Sequence, residues 1–454
     1  MTASQNTATT SPALGHDALD SFSKQFRAEP RNRLAMNAVT KTSLHSVAQN
    51  REAAVAANHV FSHTVKAGLA TAQKSSGRCW LFAGLNPMRV AAMEAMNLEN
   101  FELSQNYPMF WDKLEKANYF LESILQTLNE PVDGRLLMWL LQAPIQDGGQ
   151  WHMFVNIVRK YGVVPKSVMP ETESSGNTGL MNAHITAALR DYACRLREQA
   201  SAGAPLEALR AAKTEYLAQV YRMLAIHLGE PPQEFLWQWR DKDNKFTRDG
   251  LLTPQQFRER RVPYDLDSKV CLIHAPTADK PFNRTYTIDY LGNVVEGEII
   301  RYLNVEIDVL KKATLDSILA GDAVWFGCDC GKMLDRDLGV WDTDLYDYAL
   351  VYGSTCKLNK AERLDYGHSA MNHAMVFTGV DVDDRGAPTK WRVENSWGDD
   401  KADKGFYVMT DRWFDEYVYE VAVDRARVPA EALAALDEEP IHLPPWDPMG
   451  ALAR

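Results

Sequence analysis

The sequence predicts an α+β fold, on three observations. Apolar residues recur at helical spacing through most of 79–230. Strand chemistry, meaning β-branched and aromatic runs bounded by Gly, Asn and Asp, takes over in 268–310 and again in 372–423. The two kinds of segment are largely segregated along the chain, which is the α+β pattern.

Taken in order, residues 1–16 are Ser/Thr/Ala-rich and read as a flexible tail. Residues 17–26 place Leu19, Phe22 and Phe26 on one helical face. Residues 36–56 suit helix or loop, and 60–65 is a short strand candidate. A helix is expected from Cys79 through Met93, with a kink at Pro87. Phe110, Trp111, Tyr119, Phe120, Leu125, Leu136 and Leu140 mark further helix packing. Asp147-Gly148-Gly149-Gln150-Trp151 opens the next helix, which Gly162 closes. Two adjacent glycines there allow another backbone to come close. Residues 178–230 are helical, broken at Gly203-Ala204-Pro205 and ended by Pro231-Pro232. Strands follow at 270–273 and 285–290, a helix at 311–320, and strands at 323–326, 372–379, 391–393, 405–409 and 417–423.

Composition narrows the function classes. The 454 residues are 46% apolar and 24% charged, as in a globular protein with a large core. The net charge of −11 does not advertise a nucleic-acid or membrane surface, although a local basic groove is compatible with it. Six cysteines, Cys79, Cys194, Cys271, Cys328, Cys330 and Cys356, are too sparse for a disulfide framework. The close pair Cys328 and Cys330 has the wrong spacing for a CxxC redox or zinc motif, and no metal or cofactor is expected. The N-terminus lacks the basic and apolar regions of a signal peptide, and no run is long enough to span a bilayer. The expected compartment is the cytoplasm.

Two stretches carry chemistry. In 73–82, Gln-Lys-Ser-Ser-Gly-Arg-Cys-Trp-Leu-Phe, Cys79 stands where a polar loop becomes an apolar helix. Unpaired N–H groups and the helix dipole at that position favour a thiolate. The Gln73 amide and the Cys79 N–H are both placed to donate to an oxyanion beside the sulfur. In the C-terminal third, His373 begins one strand, and Asn395 ends another 22 residues later (395 − 373), across a turn-rich connection. Matching ends of neighbouring antiparallel strands would let the Asn395 oxygen fix one imidazole nitrogen and leave the other to face a thiol. His152, after the glycines, and His368, in a predicted loop, compete with His373 for the role of base.

Cys79, His373 and Asn395 in that order, with Gln73 ahead of the cysteine, resemble the papain-like cysteine peptidases. Against their local signature C-G-[SA]-C-[WY], the chain reads Ser76-Gly77-Arg78-Cys79-Trp80. Gly77, Cys79 and Trp80 match, while Ser76 and Arg78 depart. The loss of the first cysteine fits a reducing compartment. The histidine follows the cysteine by 294 residues (373 − 79), against roughly 130–150 in the secreted group, so long insertions are required. The 73–82 run, Asn372-His373-Ala374-Met375 and the tail Pro444-Pro445-Trp446-Asp447-Pro448-Met449-Gly450-Ala451-Leu452-Ala453 resemble the bleomycin hydrolase and bacterial aminopeptidase C family, from about Asp17 onward.

The resemblance implies a papain-like fold, with a helical half, an antiparallel β-barrel-like half and two insertions. The expected divisions are a tail (1–16), a helical half bearing the nucleophile (17–175), an inserted helical subdomain (176–262), a hook-like β-rich insertion (263–310), a β half (311–440) and a C-terminal arm entering the cleft (441–454). It implies a cysteine aminopeptidase. Cys79 would be the nucleophile, His373 the proton carrier and Asn395 its orienter. Gln73 would be an oxyanion donor, Gly148 and Gly149 a substrate edge, and Trp397 a shield over the His–Asn pair. The arm would end at Ala453, after self-removal of Arg454, with its carboxylate meeting the amine of a peptide with a free N-terminus. A homohexamer is implied too, and nucleic-acid binding is known in some relatives. Alternative readings are a silent scaffold that kept the fold, and an acyltransferase with the same residues.

Overall fold

The computed structural model describes residues 12–453. Two compact units emerge. The smaller comprises the described residues up to Ala56 together with Thr343–Lys357. It contains the helices His16–Ala28, Pro30–Val39, Leu44–Ala48, Arg51–Ala56 and Tyr348–Tyr352. The expected helical half 17–175 is therefore divided. The reason lies in burial: Leu19, Phe22 and Phe26 are exposed and none of the first helix is buried, so it adds nothing to a large core. The expected flexibility of 1–16 falls mostly outside the described residues.

The larger unit holds the helices Cys79–Ala95, Asn106–Gln126, Arg135–Gln142 and Trp151–Tyr161, and the long pair Gly179–Ser201 and Leu206–Leu228. The helix from Cys79 continues through Pro87 to Ala95. Gly84 has a packing reason. A Cβ there would sit 2.7 Å from the Phe154 ring, so glycine lets the helix Trp151–Tyr161 pack closely. The stretch 176–262 is not purely helical. After its two long helices it forms a separate two-stranded hairpin, Phe235–Arg240 with Phe246–Leu252.

Twelve strands of the described residues form one sheet. From one edge the order is Ile441–Leu443, Arg284–Ile288, Tyr302–Asn304, Lys269–Ile273, Val418–Asp424, Val324–Cys328, His373–Val382, Pro388–Glu394, Phe406–Thr410, Val340–Trp341 and Leu334–Asp335. The short strand His63–Thr64, shorter than the expected 60–65, pairs with His373–Val382. The strands of residues 263–310 are not set apart from this sheet. They continue it, through Lys269–Ile273 against Val418–Asp424. Cys271, Leu272, Ile273, Tyr286, Tyr302 and Leu303 are buried there. Apolar strands with both faces covered are stable inside a sheet and would be costly as a free-standing hook.

Candidate active site

The loop ahead of Cys79 is held from three sides. Gln73 Nε2 donates to the Ser76 carbonyl (2.5 Å), and Ser76 Oγ donates back to the Gln73 carbonyl (2.6 Å). Arg78, 1% exposed, donates to Ser76 Oγ through Nε and grips Glu171 with both terminal nitrogens (3.0 and 2.6 Å). The Gly77 N–H donates to Asp147 Oδ2 (2.9 Å). The Gln73 oxygen accepts from Ser396 Oγ (2.5 Å), and the Gln73 N–H donates to the Ser396 carbonyl (2.8 Å). Bonded from both ends, the Gln73 amide has one orientation, and its second Nε2 hydrogen remains available.

His373 and Asn395 meet through the sheet register. Val376 pairs with Glu394, so His373 opens its strand beside Asn395, which follows the end of the neighbouring strand. His373 Nε2 donates to Asn395 Oδ1 (2.9 Å), an oxygen that also accepts the Ser396 N–H (2.8 Å). A proton on Nε2 leaves Nδ1 as the basic nitrogen. Trp397 stacks on the imidazole, with centroids 5.1 Å apart and planes at 26°. Asn86 and Arg89, on the helix begun by Cys79, both bond Glu394, which fixes the Asn395 strand end against that helix. The Ala374 N–H, on the histidine strand, favours the charged form of the Cys79 thiol.

Burial dominates the titration of both partners. It pushes the Cys79 thiol up to about 11, against the lowering effect of the Ala374, Trp80 and Cys79 N–H groups. The N–H groups at the helix start favour the thiolate, as expected, but desolvation of the charge outweighs them. Burial also lowers His373 to about 4; the Asn395 bond opposes this and the Arg336 charge adds to it. Each group alone prefers neutrality.

One wall of the cleft rests on a carboxylate that sequence reading passed over. Asp147 accepts from Gly77, from Thr178 Oγ1 (2.5 Å), from Lys113 Nζ (2.5 Å) and from Asn182 Nδ2 (2.8 Å), and its carbonyl accepts the Trp80 indole N–H (2.6 Å). Burial would raise its carboxyl, but Lys113 and these donors hold it well below the carboxylate range. Beside it, Lys116 donates to the carbonyls of Gln146 (3.0 Å) and Gly148 (2.6 Å). The signal in sequence was a lone Asp before two glycines. Its partners lie 31 and more residues away.

Gly148 faces the C-terminal arm. A Cβ there would fall on the Leu452 carbonyl oxygen and lie 2.9 to 3.0 Å from the Ala453 carbonyl carbon and Cα. Gly149 is pressed against the Trp80 indole, where a Cβ would meet ring atoms 2.5 to 2.7 Å away. The arm is pinned along its length. The Arg135 guanidinium covers Trp446 at 3.7 Å, Lys280 pairs with Asp447 (2.9 Å), and the Tyr302 hydroxyl donates to the Met449 carbonyl (3.4 Å). Ala453 is buried, and Arg454 lies outside the described residues.

One cleft is lined by Gln73, Gly77, Cys79, Asp147, Gly148, Asn182, Asn372, His373 and Leu452. It brings together Gln73, Cys79, His373 and Gly148, with Asn395 and Trp397 behind the histidine. It does not include the competing histidines. His368 is exposed on a loop, and His152 lies near Glu298, Arg159 and Arg301, with burial lowering it to about 4. Asn182, from the helix Gly179–Ser201, and Asn372 were not foreseen. Asn372 is held by Asp329, which accepts its side-chain amide (2.6 Å).

Among the described residues no helix is long and apolar enough to cross a membrane. No described group of His, Cys, Asp and Glu is arranged to hold a metal ion. The chain is 46% identical to aminopeptidase C of Listeria monocytogenes, over 97% of this chain and 99% of that protein. It is 46% identical to human bleomycin hydrolase, over 98% and 99%. The crystal structure of PepW from Lactobacillus rhamnosis HN001 superposes with a TM-score of 0.96 at 44% identity, covering 97% of this chain and all of that one. The profile of the Peptidase C1-like family matches residues 13–450, and the chain belongs to that family, with its papain-like α+β fold.

Proposed function

We propose that this protein is a cysteine aminopeptidase that removes N-terminal residues from peptides. Cys79 Sγ attacks the first peptide carbonyl while its proton moves to His373 Nδ1. The oxyanion takes hydrogen bonds from the Cys79 N–H and the free Gln73 Nε2 hydrogen. The imidazolium, oriented by Asn395, gives its proton to the departing amine, leaving a thioester. Water, deprotonated by His373, then releases the amino acid. Trp397 keeps bulk water from the His373–Asn395 bond.

The observation that carries the reading is the arm. Leu452 lines the same cleft as Cys79 and His373, and Leu452 and Ala453 lie across Gly148, where an extended substrate would otherwise continue past its N-terminus. A chain end there stops longer substrates and offers a carboxylate to an ammonium, a charge-assisted pair. Removal of Arg454 to expose Ala453 belongs to this reading, and mass spectrometry of the purified protein tests it. The reading also includes a cytoplasmic homohexamer, supported by family resemblance and tested by fractionation and light scattering. Bleomycin is a substrate to test directly.

The deciding experiment compares a short peptide with a free N-terminus and its N-acetylated twin, using wild type and Cys79→Ala. Preference for the free amine, lost in the variant, supports the full reading. Equal cleavage of both keeps the nucleophile and removes the clamp. No cleavage by folded wild type returns the scaffold reading. An acyltransferase would show transfer to added amines.

A further inference from the structure

Arg336 is an unused cation beside the catalytic pair. It sits on the exposed loop between the strands Leu334–Asp335 and Val340–Trp341. Its guanidinium lies over the Trp397 ring, 4.2 Å from the centroid, and Trp397 in turn stacks on His373 at 5.1 Å. It has no hydrogen bond or ion pair with any described residue. The acidic neighbours are otherwise engaged: Asp337 pairs with Lys401 (2.6 Å), and Asp335 accepts the backbone N–H groups of Asp337 and Leu338. Asp400 is the remaining carboxylate whose charge reaches this corner.

Position gives this cation a meaning. The arm closes the cleft at Gly148, so the substrate amine lies on that side. Gln73 lines the cleft too, and Trp397 is bridged to its neighbour Ala72. The leaving amine takes its proton from His373, so the leaving segment runs past His373 toward Trp397. The two ring separations place the guanidinium within about 9 Å of the imidazole. An extended residue spans about 3.3 to 3.6 Å, so a leaving group of one or two residues ends its main chain within reach of Arg336.

We propose that Arg336 is a specificity residue that binds the C-terminal carboxylate of the leaving group, so that di- and tripeptides with a free carboxylate are the preferred substrates. Trp397 holds the fork in place, and a guanidinium suits a planar carboxylate by paired hydrogen bonds. The proposal rests on the aminopeptidase reading and deepens it.

The test uses dialanine, trialanine and their C-terminal amides, together with an alanine anilide that has no carboxylate. The readout is the ratio of kcat/KM for acid over amide, in which any uniform change of activity cancels. The wild type should favour the acids by about tenfold, and less so at high salt. Arg336→Met should bring the ratio to about one, and Arg336→Lys should restore part of it. A wild-type ratio of one, or an unchanged ratio in Arg336→Met, overturns the proposal. So does an equal loss on acid, amide and anilide, which would make Arg336 a positioning residue acting through Trp397. Failure of the wild type to cleave the anilide or any peptide would instead overturn the aminopeptidase reading, and this proposal with it.

Discussion

Replacing Asp447 with Asn should loosen the arm and let blocked peptides in. Asp447 and Lys280 form a buried pair, 2.9 Å apart, with side chains 5% and 3% exposed. Removing one charge from such a pair costs about 3–5 kcal/mol, most of it the penalty of an uncompensated buried ion. Two features reduce that figure here. Asn keeps the volume and the acceptor that caps the Met449 N–H. Asp279, 64% exposed and 3.0 Å from Lys280, keeps a screened partner in place, worth at most about 1 kcal/mol. A net penalty of about 2 kcal/mol remains, and it is relieved when the arm lifts and Lys280 reaches water. The undocked population should then rise about 30-fold. If blocked peptides are cleaved only by undocked enzyme, their kcat/KM rises by the same factor while free-amine turnover barely changes. The assay is the pair of acetylated and free peptides, with limited proteolysis of the arm as a structural readout. Asp279→Asn is the control and should change neither. Unchanged cleavage of the acetylated peptide, in a variant whose arm has become protease-sensitive, would refute the claim that the arm sets the free-amine requirement.

Other outcomes follow from the same geometry. Gln73→Ala should lower kcat by about 10²–10³, with a smaller effect on KM, because the lost donor acts on the oxyanion; steady-state kinetics on a free-amine peptide checks this. Asn395→Ala removes the 2.9 Å acceptor of His373 Nε2 and should lower kcat/KM by about 10- to 100-fold. In Trp397→Ala, water reaches the imidazole. The acid limb of kcat/KM, expected near the value of about 4 to which burial lowers His373, should move up toward the ordinary histidine value in a pH–rate profile. Glu420 is fully buried, with the Cys271 thiol as its polar neighbour, and burial raises it to about 8. Its folded value lies above its unfolded one, so the fold holds a proton that the unfolded chain has released. Stability should fall as pH rises from about 4.5 to about 8. Glu420→Gln should flatten that slope and stabilise the protein at pH 8 by roughly 3–5 kcal/mol, seen by thermal unfolding at pH 5 and pH 8.

Reading order in the chain separates what was legible from what was not. The candidate nucleophile Cys79, at the start of its helix, and the candidate oxyanion donor Gln73 lie within seven residues, 73–79, so local chemistry alone singled them out. His373 and Asn395 were legible as a pair because a hairpin brings the ends of adjacent strands together without any long-range information. The two long helices from 179 to 228 were legible from period and punctuation. By contrast, 270–304 showed strand chemistry but not its place, because Lys269–Ile273 pairs with Val418–Asp424 across some 150 residues. The Asp147–Lys113 support was invisible because neither residue type signals burial until another segment covers it. Arg336, between two aspartates in a polar loop, read as solvated surface until Trp397 arrived beneath it.

The sequence by itself determined the residue types and their order: a cysteine at a helix start, a histidine and an asparagine on neighbouring strands, paired glycines, and a proline-flanked tail. These are local properties, set by backbone conformation and by which side chains can do acyl chemistry. Tertiary structure alone decided how burial shifts Cys79 and His373, what pins the arm, and which charges face the cleft. Those depend on desolvation and on contacts between segments hundreds of residues apart, and such burial exists only after the chain has folded.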